Sequence, residues 1–162
     1  MRNFRSTLFL ITLLTAVCSI TACGGGDDEP GLTPEEERLL ALAGTTGTRW
    51  TATAISFEGG PASGFDNFSL TLFGDDPDQT LTYTSIDGDP LFLSSGTWSF
   101  NGSNINELIV DEMDDNVFTI GNFNADNTPA TMTLSVNFTA GGGVAAGVNG
   151  TDGLYVLELV AE

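Results

Sequence analysis

Thr131-Met132-Thr133-Leu134-Ser135-Val136-Asn137-Phe138 alternates polar and apolar side chains without a break. Successive side chains of a β-strand point to opposite faces, so this stretch predicts a strand with one apolar and one polar face. A strand of this kind is stable only when its apolar face is covered. The stretch therefore predicts a sheet with one face on a hydrophobic core and the other in water.

The same period of two recurs from Trp50 onward and predicts about eight strands. Besides the stretch above, the predicted strands are Arg49–Phe57, Phe68–Leu72, Leu81–Thr84, Trp98–Phe100, Ile105–Val110, Asn116–Ile120 and Leu154–Val160. Asn101-Gly102 is the strongest hairpin signal between them. No helix-length pattern interrupts the strands. We therefore expect an all-β fold, an antiparallel up-and-down barrel that leaves no exposed sheet edge, with a sandwich as the open alternative.

A short helix is predicted directly before the strands, at residues 33–44. Thr33 is a favourable N-cap, and Glu36 stands three residues later, which together form a capping box. Pro34 suits the first helical position, and Gly44 is a natural stop. We expect this helix to pack against an open end of the predicted barrel domain, residues 45–162.

Residues 1–22 follow a secretory pattern. Arg2 and Arg5 give a positive start, and the uncharged run Leu8–Val17 spans about ten residues, whereas a membrane-spanning helix needs about 20. The next stretch, Ile20-Thr21-Ala22-Cys23, resembles a bacterial lipobox. The resemblance implies cleavage before Cys23 and attachment of fatty acyl chains such as palmitate to it, which gives stable membrane anchoring.

Residues 23–32 form a predicted tether, because glycine gives flexibility and an acidic run resists packing. Within it, Asp27-Asp28-Glu29 resembles the surface-export signals of Bacteroidota-type lipoproteins. The resemblance implies an outer-membrane lipoprotein that faces the periplasm or lies on the cell surface. A solvated linker without a signal is the alternative.

Missing residue types narrow the chemistry of the chain. It has no histidine and no lysine, which excludes a Ser-His-Asp triad, an imidazole metal site and Schiff-base chemistry. Cys18 lies in the apolar segment and Cys23 is the predicted lipid site, so no thiol remains for a disulfide or a nucleophile. Paired carboxylates are the only catalytic groups left, and no pair stands out. We therefore expect a protein that is not an enzyme.

The charge of the chain is concentrated after Cys23. The net charge is −18, and all 22 acidic residues follow Cys23, where Arg38 and Arg49 are the only basic residues. So acidic a domain repels the phosphates of nucleic acid and the headgroups of anionic lipids. We expect no nucleic acid partner, and membrane contact only through the lipid anchor.

The segment Gly44–Glu162 is similar to the small lipocalin-like domains of Bacteroidota lipoproteins. The similarity rests on Gly47-Thr48-Arg49-Trp50 at the start of the first strand, and on the later runs Ser95–Phe100 and Val148–Thr151. It implies a barrel fold and a location rather than an activity. Lipocalins proper begin with Gly-x-Trp, whereas two residues separate Gly47 from Trp50 here.

The aromatic residues are the candidate ligand contacts. An eight-stranded barrel is just wide enough for side chains, so its aromatic residues either fill the interior or line a ligand cavity. In the second case we expect Trp50, Trp98 and Tyr83 to form the cavity wall.

Calcium is the one metal that we consider, and no other cofactor is expected. Calcium takes oxygen ligands from flexible loops, and Asp75, Asp76 and Asp78 share one turn. Ordinary turn geometry is the alternative explanation for these aspartates.

The leading hypothesis is a membrane-anchored, non-enzymatic binding module for a small apolar ligand or a partner protein. One alternative is a structural or interaction lipoprotein whose barrel is filled and takes no ligand. The other is a calcium-stabilised carbohydrate-binding module.

Overall fold

A computed structural model of the protein describes residues 31–74, 76–112, 115–139 and 151–162. The predicted signal segment, the lipid site Cys23, most of the predicted tether and Asp75 lie outside the described residues. Leu32–Glu162 form one compact unit. In the described part of the chain, no helix is long and apolar enough to cross a membrane.

The predicted helix is confirmed as α1 (Pro34–Ala43). Its N-terminus carries the predicted capping box: the Glu36 carboxylate accepts from the Thr33 N–H at 2.6 Å, and the Thr33 hydroxyl accepts from the Glu36 N–H at 3.2 Å. The bond from the Thr33 backbone N–H first, and then the Thr33 side chain, lower the pKa of the Glu36 carboxyl. The helix ends where the Gly44 N–H donates to the carbonyl of Leu40 at 2.9 Å.

Nine strands follow α1 in the described residues. They are β1 (Thr48–Phe57), β2 (Gly60–Pro61), β3 (Ser69–Phe73), β4 (Leu81–Ile86), β5 (Ser95–Asn101), β6 (Asn104–Val110), β7 (Phe118–Asn124), β8 (Thr131–Phe138) and β9 (Gly153–Ala161). Their order is β2-β1-β3-β4-β5-β6-β7-β8-β9, and β1 also pairs with β9. All pairings are antiparallel, so β1 and β3 to β9 form a closed eight-stranded barrel. The predicted barrel is confirmed, and the sandwich is not formed.

The predicted strand Asn116–Ile120 differs most from the structure. Strand β7 begins at Phe118 and continues to Asn124, past a bulge between Gly121 and Asn124. Asn122 in this bulge has a φ of 47°, so the alternation of side chains breaks there. The broken alternation explains why the period of two does not mark the end of this strand.

The alternating stretch that predicts the fold is β8. Met132, Leu134, Val136 and Phe138 are buried, and the polar residues between them are partly or fully exposed. Leu134 lies opposite Ile120 of β7 and Leu157 of β9, and both are also buried. The apolar faces of neighbouring strands therefore meet in register and form one core inside the barrel.

One end of the barrel, here named the helix end, carries α1, the start of β1 and the C-terminal residue. Leu39, Leu42 and Ala43 of α1 are fully buried against the core. The indole N–H of Trp50 in β1 donates to the carbonyl of Leu42 at 2.9 Å. This bond satisfies one of the carbonyls that the last turn of a helix leaves free.

Arg38 joins α1 to the weakest seam of the barrel, where β6 and β7 pair at two register positions. Its Nε donates to the carbonyl of Ile105 at 3.3 Å, and its Nη2 donates to Oδ1 of Asn106 at 2.9 Å. The guanidinium carbon lies 4.0 Å from the ring centre of Phe123. Arg38 therefore contacts both strands, through hydrogen bonds on β6 and a cation–π contact on β7.

The opposite end, here named the loop end, carries the connections between β1 and β3, β4 and β5, and β6 and β7. These are Glu58–Phe68, Asp87–Ser94, and residues 111–117 without the undescribed 113 and 114. The first is the longest and includes β2. These connections bring additional aromatic side chains over the barrel, as the next subsection describes.

Candidate functional site

The loop end contains a connected cluster of eight aromatic rings. Strand residues contribute Phe57, Tyr83, Phe118, Phe138 and Tyr155, and residues outside the strands contribute Phe65, Phe68 and Phe92. Neighbouring ring centres lie 4.8 to 6.2 Å apart, which is the range for favourable aromatic pairs. The loop end is therefore the place where the barrel concentrates stacking surface.

An open cleft of about 320 Å³, here named the mouth cleft, lies at the loop end. Three rings of the cluster line it, together with two prolines and three polar residues. Its main lining residues are Phe57, Pro61, Phe65, Asp89, Pro90 and Tyr155. The Tyr155 hydroxyl donates to the carbonyl of Thr151, another lining residue, at 3.3 Å. The volume lies at the lower end of the range for small-molecule sites, and the mixture of rings with a few polar groups is typical of them.

The connection between β4 and β5 enters the barrel itself. Leu91 and Phe92 of this connection are 1% and 4% exposed, although neither belongs to a strand. The Phe92 ring is stacked on Phe118 of β7, with centres 4.8 Å apart and planes at 26°. The same ring lies 5.8 Å from Tyr83 of β4 and 5.7 Å from Phe68. Because β4 and β7 lie three strands apart in the sheet order, Phe92 occupies the lumen between them.

Tyr83 and Asp111 form a hydrogen-bonded pair beneath this connection. The Tyr83 hydroxyl donates to Oδ2 of Asp111 and accepts from the Leu93 N–H at 3.2 Å. Oδ1 of Asp111 accepts from the Thr97 N–H at 2.9 Å. Burial, and then the bond to Asp111, raise the pKa of Tyr83 far above its usual range. Tyr83 therefore stays neutral and joins the β4–β5 connection to the β6–β7 connection.

The structure places the predicted ligand contacts Trp50 and Trp98 in the core. Trp50 is fully buried under α1, and Trp98 is 3% exposed, with its N–H donating to the carbonyls of Phe73 at 3.2 Å and Thr82 at 3.1 Å. This burial favours core packing over a cavity wall for both tryptophans. Trp98 also borders a polar groove of about 300 Å³ that includes Glu35 of α1.

Tyr83 is the predicted ligand contact that the structure brings near the mouth cleft. Tyr83 is 1% exposed. On the neighbouring strand β5, its pairing partner is Gly96, and Trp98 lies two residues further along, diagonally from Tyr83. The Tyr83 ring touches Phe92, and Pro90, two residues before Phe92, lines the cleft. Ligand binding by Trp50, Trp98 and Tyr83 stays a prediction.

The predicted calcium turn is described only in part, because Asp75 lies outside the described residues. Asp76 accepts from the Asp78 N–H at 2.9 Å and from Nε2 of Gln79 at 3.0 Å, which are bonds of ordinary turn geometry. Among the residues that the structure describes, no group of three or more carboxylates or thiols is placed to hold a metal ion. Calcium binding at this turn stays a prediction.

Two features of the loop end are absent from the sequence predictions. Phe92 follows the turn residues Asp89 and Pro90, and the period of two gives no signal for a buried ring there. Asn116 is 1% exposed; its Oδ1 accepts from the Thr139 N–H at 2.9 Å, and its Nδ2 has no partner among the described residues. Its only sequence signal is its position two residues before the inward-facing Phe118.

Comparisons of the chain with protein-family models, with curated proteins and with solved structures found no match.

Proposed function

We propose that the protein is a lipid-anchored binding module, and that its mouth cleft takes a small apolar ligand with a flat face. The observation that carries this proposal is the mouth cleft, where Phe57, Phe65 and Tyr155 meet at an open end of the barrel. Flat apolar faces stack favourably on such rings. A ligand bound there needs no catalytic group, and the chain lacks histidine, lysine and a spare thiol.

The charge of the barrel narrows the class of ligand. Arg38 and Arg49 are the only basic residues after Cys23, and both lie at the helix end. Arg38 contacts β6 and β7, and Arg49 lies 3.5 Å from a carboxylate oxygen of Glu162. Asp89 adds negative charge at the mouth cleft. A neutral ligand is therefore favoured over an anionic one.

The anchor is the second part of the proposal. Lipidation of Cys23 holds the barrel at the outer membrane, and residues 24–32 separate the barrel from the bilayer. At about 3.4 Å per extended residue, such a tether reaches roughly 30 Å. The acidic barrel has no basic surface for anionic lipids, so the anchor supplies the membrane contact.

A titration with the neutral fluorophore N-phenyl-1-naphthylamine tests the mouth cleft. Residues 24–162 contain the whole compact unit and no cysteine, so they give a soluble form without lipid. We expect fluorescence enhancement that saturates, and about tenfold weaker binding after Phe57→Ala, which removes stacking surface. Gln79→Ala in the polar groove is the matched control and should bind as the parent does. Equal effects of both substitutions would contradict the site.

Labelling with radioactive palmitate tests the anchor in the full-length chain. We expect incorporation and detergent-phase partitioning of the parent, and loss of both in Cys23→Ala. The chain supplies its own control, because Cys18→Ala removes the other cysteine and should leave the label in place. Label that persists in Cys23→Ala would contradict lipidation at Cys23.

The second candidate function is a structural lipoprotein whose barrel takes no ligand. The filled lumen favours it, because Trp50, Phe68, Phe92 and Phe118 are all buried core residues. Native mass spectrometry of the purified barrel separates the two candidates. A co-purified small molecule supports the binding module, whereas a bare chain together with no fluorophore binding supports the structural lipoprotein.

A further inference from the structure

Residues Asp87–Ser94, here named the plug, fill the lumen with side chains that come from outside the strands. Phe92 touches rings from both sides of the barrel, Tyr83 on β4 and Phe118 on β7. Its planar ring is stacked on another planar ring in the manner of a bound aromatic molecule. The space that Phe92 occupies is therefore shaped for one flat, neutral ring.

The plug is held in place by hydrogen bonds to neighbouring residues and by bonds within itself. The Ser85 N–H donates to the carbonyl of Ser94 at 3.0 Å, and the Phe92 N–H donates to the carbonyl of Gly88 at 2.9 Å. The Ser85 hydroxyl donates to the carbonyl of Leu93 at 2.6 Å, and the Leu93 N–H donates to the Tyr83 hydroxyl at 3.2 Å. At its start, Oδ2 of Asp87 accepts from the backbone N–H and from Nδ2 of Asn67, each at 3.2 Å. Opening of the plug requires these bonds to break and the buried Leu91 and Phe92 to leave the core, so the open form is a minor population.

The plug also forms one side of the mouth cleft. Asp89 and Pro90 line the cleft, while the next two residues, Leu91 and Phe92, fill the lumen. A molecule in the cleft therefore touches the segment whose movement opens the lumen. Contact in the cleft and withdrawal of Phe92 involve the same short stretch of backbone.

We propose that Phe92 occupies a covered binding site for a flat, neutral ring, and that the Tyr83–Asp111 pair keeps the plug over this site. This inference rests on the proposed function, because the mouth cleft gives the ligand its entry. A ligand that replaces the Phe92 ring stacks on Phe118 and lies edge-on to Tyr83, as Phe92 does now. Only molecules with an open plug bind this ligand, so the apparent affinity equals the intrinsic affinity multiplied by the open fraction.

A reversible cross-link across the plug is the direct experiment. Residues 24–162 contain no cysteine, so Asn67→Cys combined with Asp87→Cys supplies the only pair of thiols. The present contacts between Asn67 and Asp87 place these side chains side by side. With N-phenyl-1-naphthylamine as the probe, we expect binding by the reduced form and at least about tenfold weaker binding by the oxidised form, because the closed plug covers the site.

Tyr83→Phe tests the hydrogen-bonded pair while Phe92 stays in place. It removes the hydroxyl that contacts Leu93 and Asp111, so more molecules have an open plug, and we expect about tenfold tighter probe binding. Arg38→Met is the matched control, since it removes hydrogen bonds at the helix end, and it should leave the affinity unchanged. Amide hydrogen exchange should be faster at Leu91–Leu93 in Tyr83→Phe but not in Arg38→Met.

The outcomes separate this inference from the proposed function. Equal affinities of the oxidised and reduced forms, with clear binding by the parent chain, overturn the covered site and leave binding in the open mouth cleft intact. Probe binding by Tyr83→Phe without binding by the parent supports the covered site and contradicts capture by the open cleft. Absence of binding in the parent, in Tyr83→Phe and in the reduced form contradicts both.

Discussion

At the helix end, the barrel is covered by a regular element, α1, whereas at the loop end it is covered by side chains from the connections. The helix end is held by backbone carbonyls: the indole of Trp50 donates to Leu42, and Arg38 donates to Ile105. At the loop end, a side-chain pair, the hydroxyl of Tyr83 and the carboxylate of Asp111, joins two connections, and backbone bonds such as that from the Asp111 N–H to the carbonyl of Thr97 at 2.8 Å add to it. The two ends also differ in charge, because both arginines of the barrel lie at the helix end.

This difference indicates which end is structural and which end is available for binding. At the helix end, a regular helix with a capping box and three fully buried side chains covers the buried Trp50. The polar groove beside it includes Glu35 of α1. The loop end combines an open cleft with a connection, Asp87–Ser94, that lines this cleft and also fills the lumen. Binding sites are commonly carried by connections on a rigid scaffold, and this barrel follows that division.

The largest expected loss in the free energy of unfolding comes from a substitution at the helix end. Trp50→Ala removes a fully buried indole and its bond to Leu42, so we expect a loss of about 3–5 kcal/mol in the free energy of unfolding. Phe57→Ala, at a partly buried ring of the mouth cleft, should cost clearly less. Chemical denaturation monitored by circular dichroism measures both. Equal losses would show that the two ends contribute equally to stability.

The next largest loss of stability is expected at Gly96 of β5, which lies against the Tyr83–Asp111 pair. A Cβ at Gly96 would overlap Oδ1 of Asp111 and lie 2.8 Å from Cε1 of Tyr83. We expect Gly96→Ala to cost about 3 kcal/mol, because both side chains must move. Gly121→Ala on β7 is the control, since its Cβ meets only Thr133 at an ordinary 3.9 Å, and it should stay within about 0.5 kcal/mol. Similar unfolding curves for the two variants would refute the tight packing around Gly96.

Tyr83→Phe should lower the free energy of unfolding by a smaller amount, and this loss should depend on pH. At neutral pH we expect a loss of about 1.5 kcal/mol, from the bonds to Asp111 and Leu93. Folding raises the pKa of Tyr83, so this side chain contributes its full stability below the ordinary tyrosine pKa of about 10 and loses it as the pH rises above that value. The parent should therefore lose stability from about pH 10 upward faster than Tyr83→Phe does. Parallel pH profiles of the melting temperature would contradict the buried hydrogen bond.

The smallest expected loss of stability comes from removing the N-cap of α1. Thr33→Ala removes the N-cap hydroxyl and should cost about 1 kcal/mol. The bonds from Thr33 lower the pKa of Glu36, so their contribution is present above the usual glutamate pKa and is lost as the pH falls through the lower folded value. Thermal melts from neutral to acidic pH measure this difference. We expect a gap between the parent and Thr33→Ala to persist at low pH, because the bond from the Glu36 N–H to the Thr33 hydroxyl does not titrate and the variant keeps the backbone bond to the Glu36 carboxylate. Full convergence of the two proteins at low pH would contradict the N-cap bond.

The sequence predicts the fold well and the candidate site only in part. Period-two alternation locates the strands, and the Thr33–Glu36 pair locates the helix, because both signals depend on neighbours a few residues apart. The bulge in β7 is missed, since Asn122 reverses the alternation locally. The roles of Trp50 and Trp98 are not decided by the sequence, because a buried ring and a cavity wall have the same alternating pattern.

The loop end could not be predicted from local patterns. The Tyr83–Asp111 bond joins residues 28 positions apart, and Phe92 meets Phe118 only because the connection turns inward. Asp87 and Asp111 both have positive φ values, 50° and 53°, a conformation that aspartate adopts more often than most residues, although residue type alone does not show which aspartates adopt it. Such contacts depend on where the closed barrel places each connection.

The sequence by itself determined an acidic, histidine-free and lysine-free chain whose alternating strands need a shared apolar core, with a short capped helix before them. These properties follow from composition and from side chains close together along the chain. Only the tertiary structure decided that β1 pairs with β9, that the tryptophans are buried, and that Phe92 fills the lumen beneath the mouth cleft. Barrel closure brings residues distant in sequence into contact, and the free energy of those contacts depends on their three-dimensional arrangement rather than on local pattern.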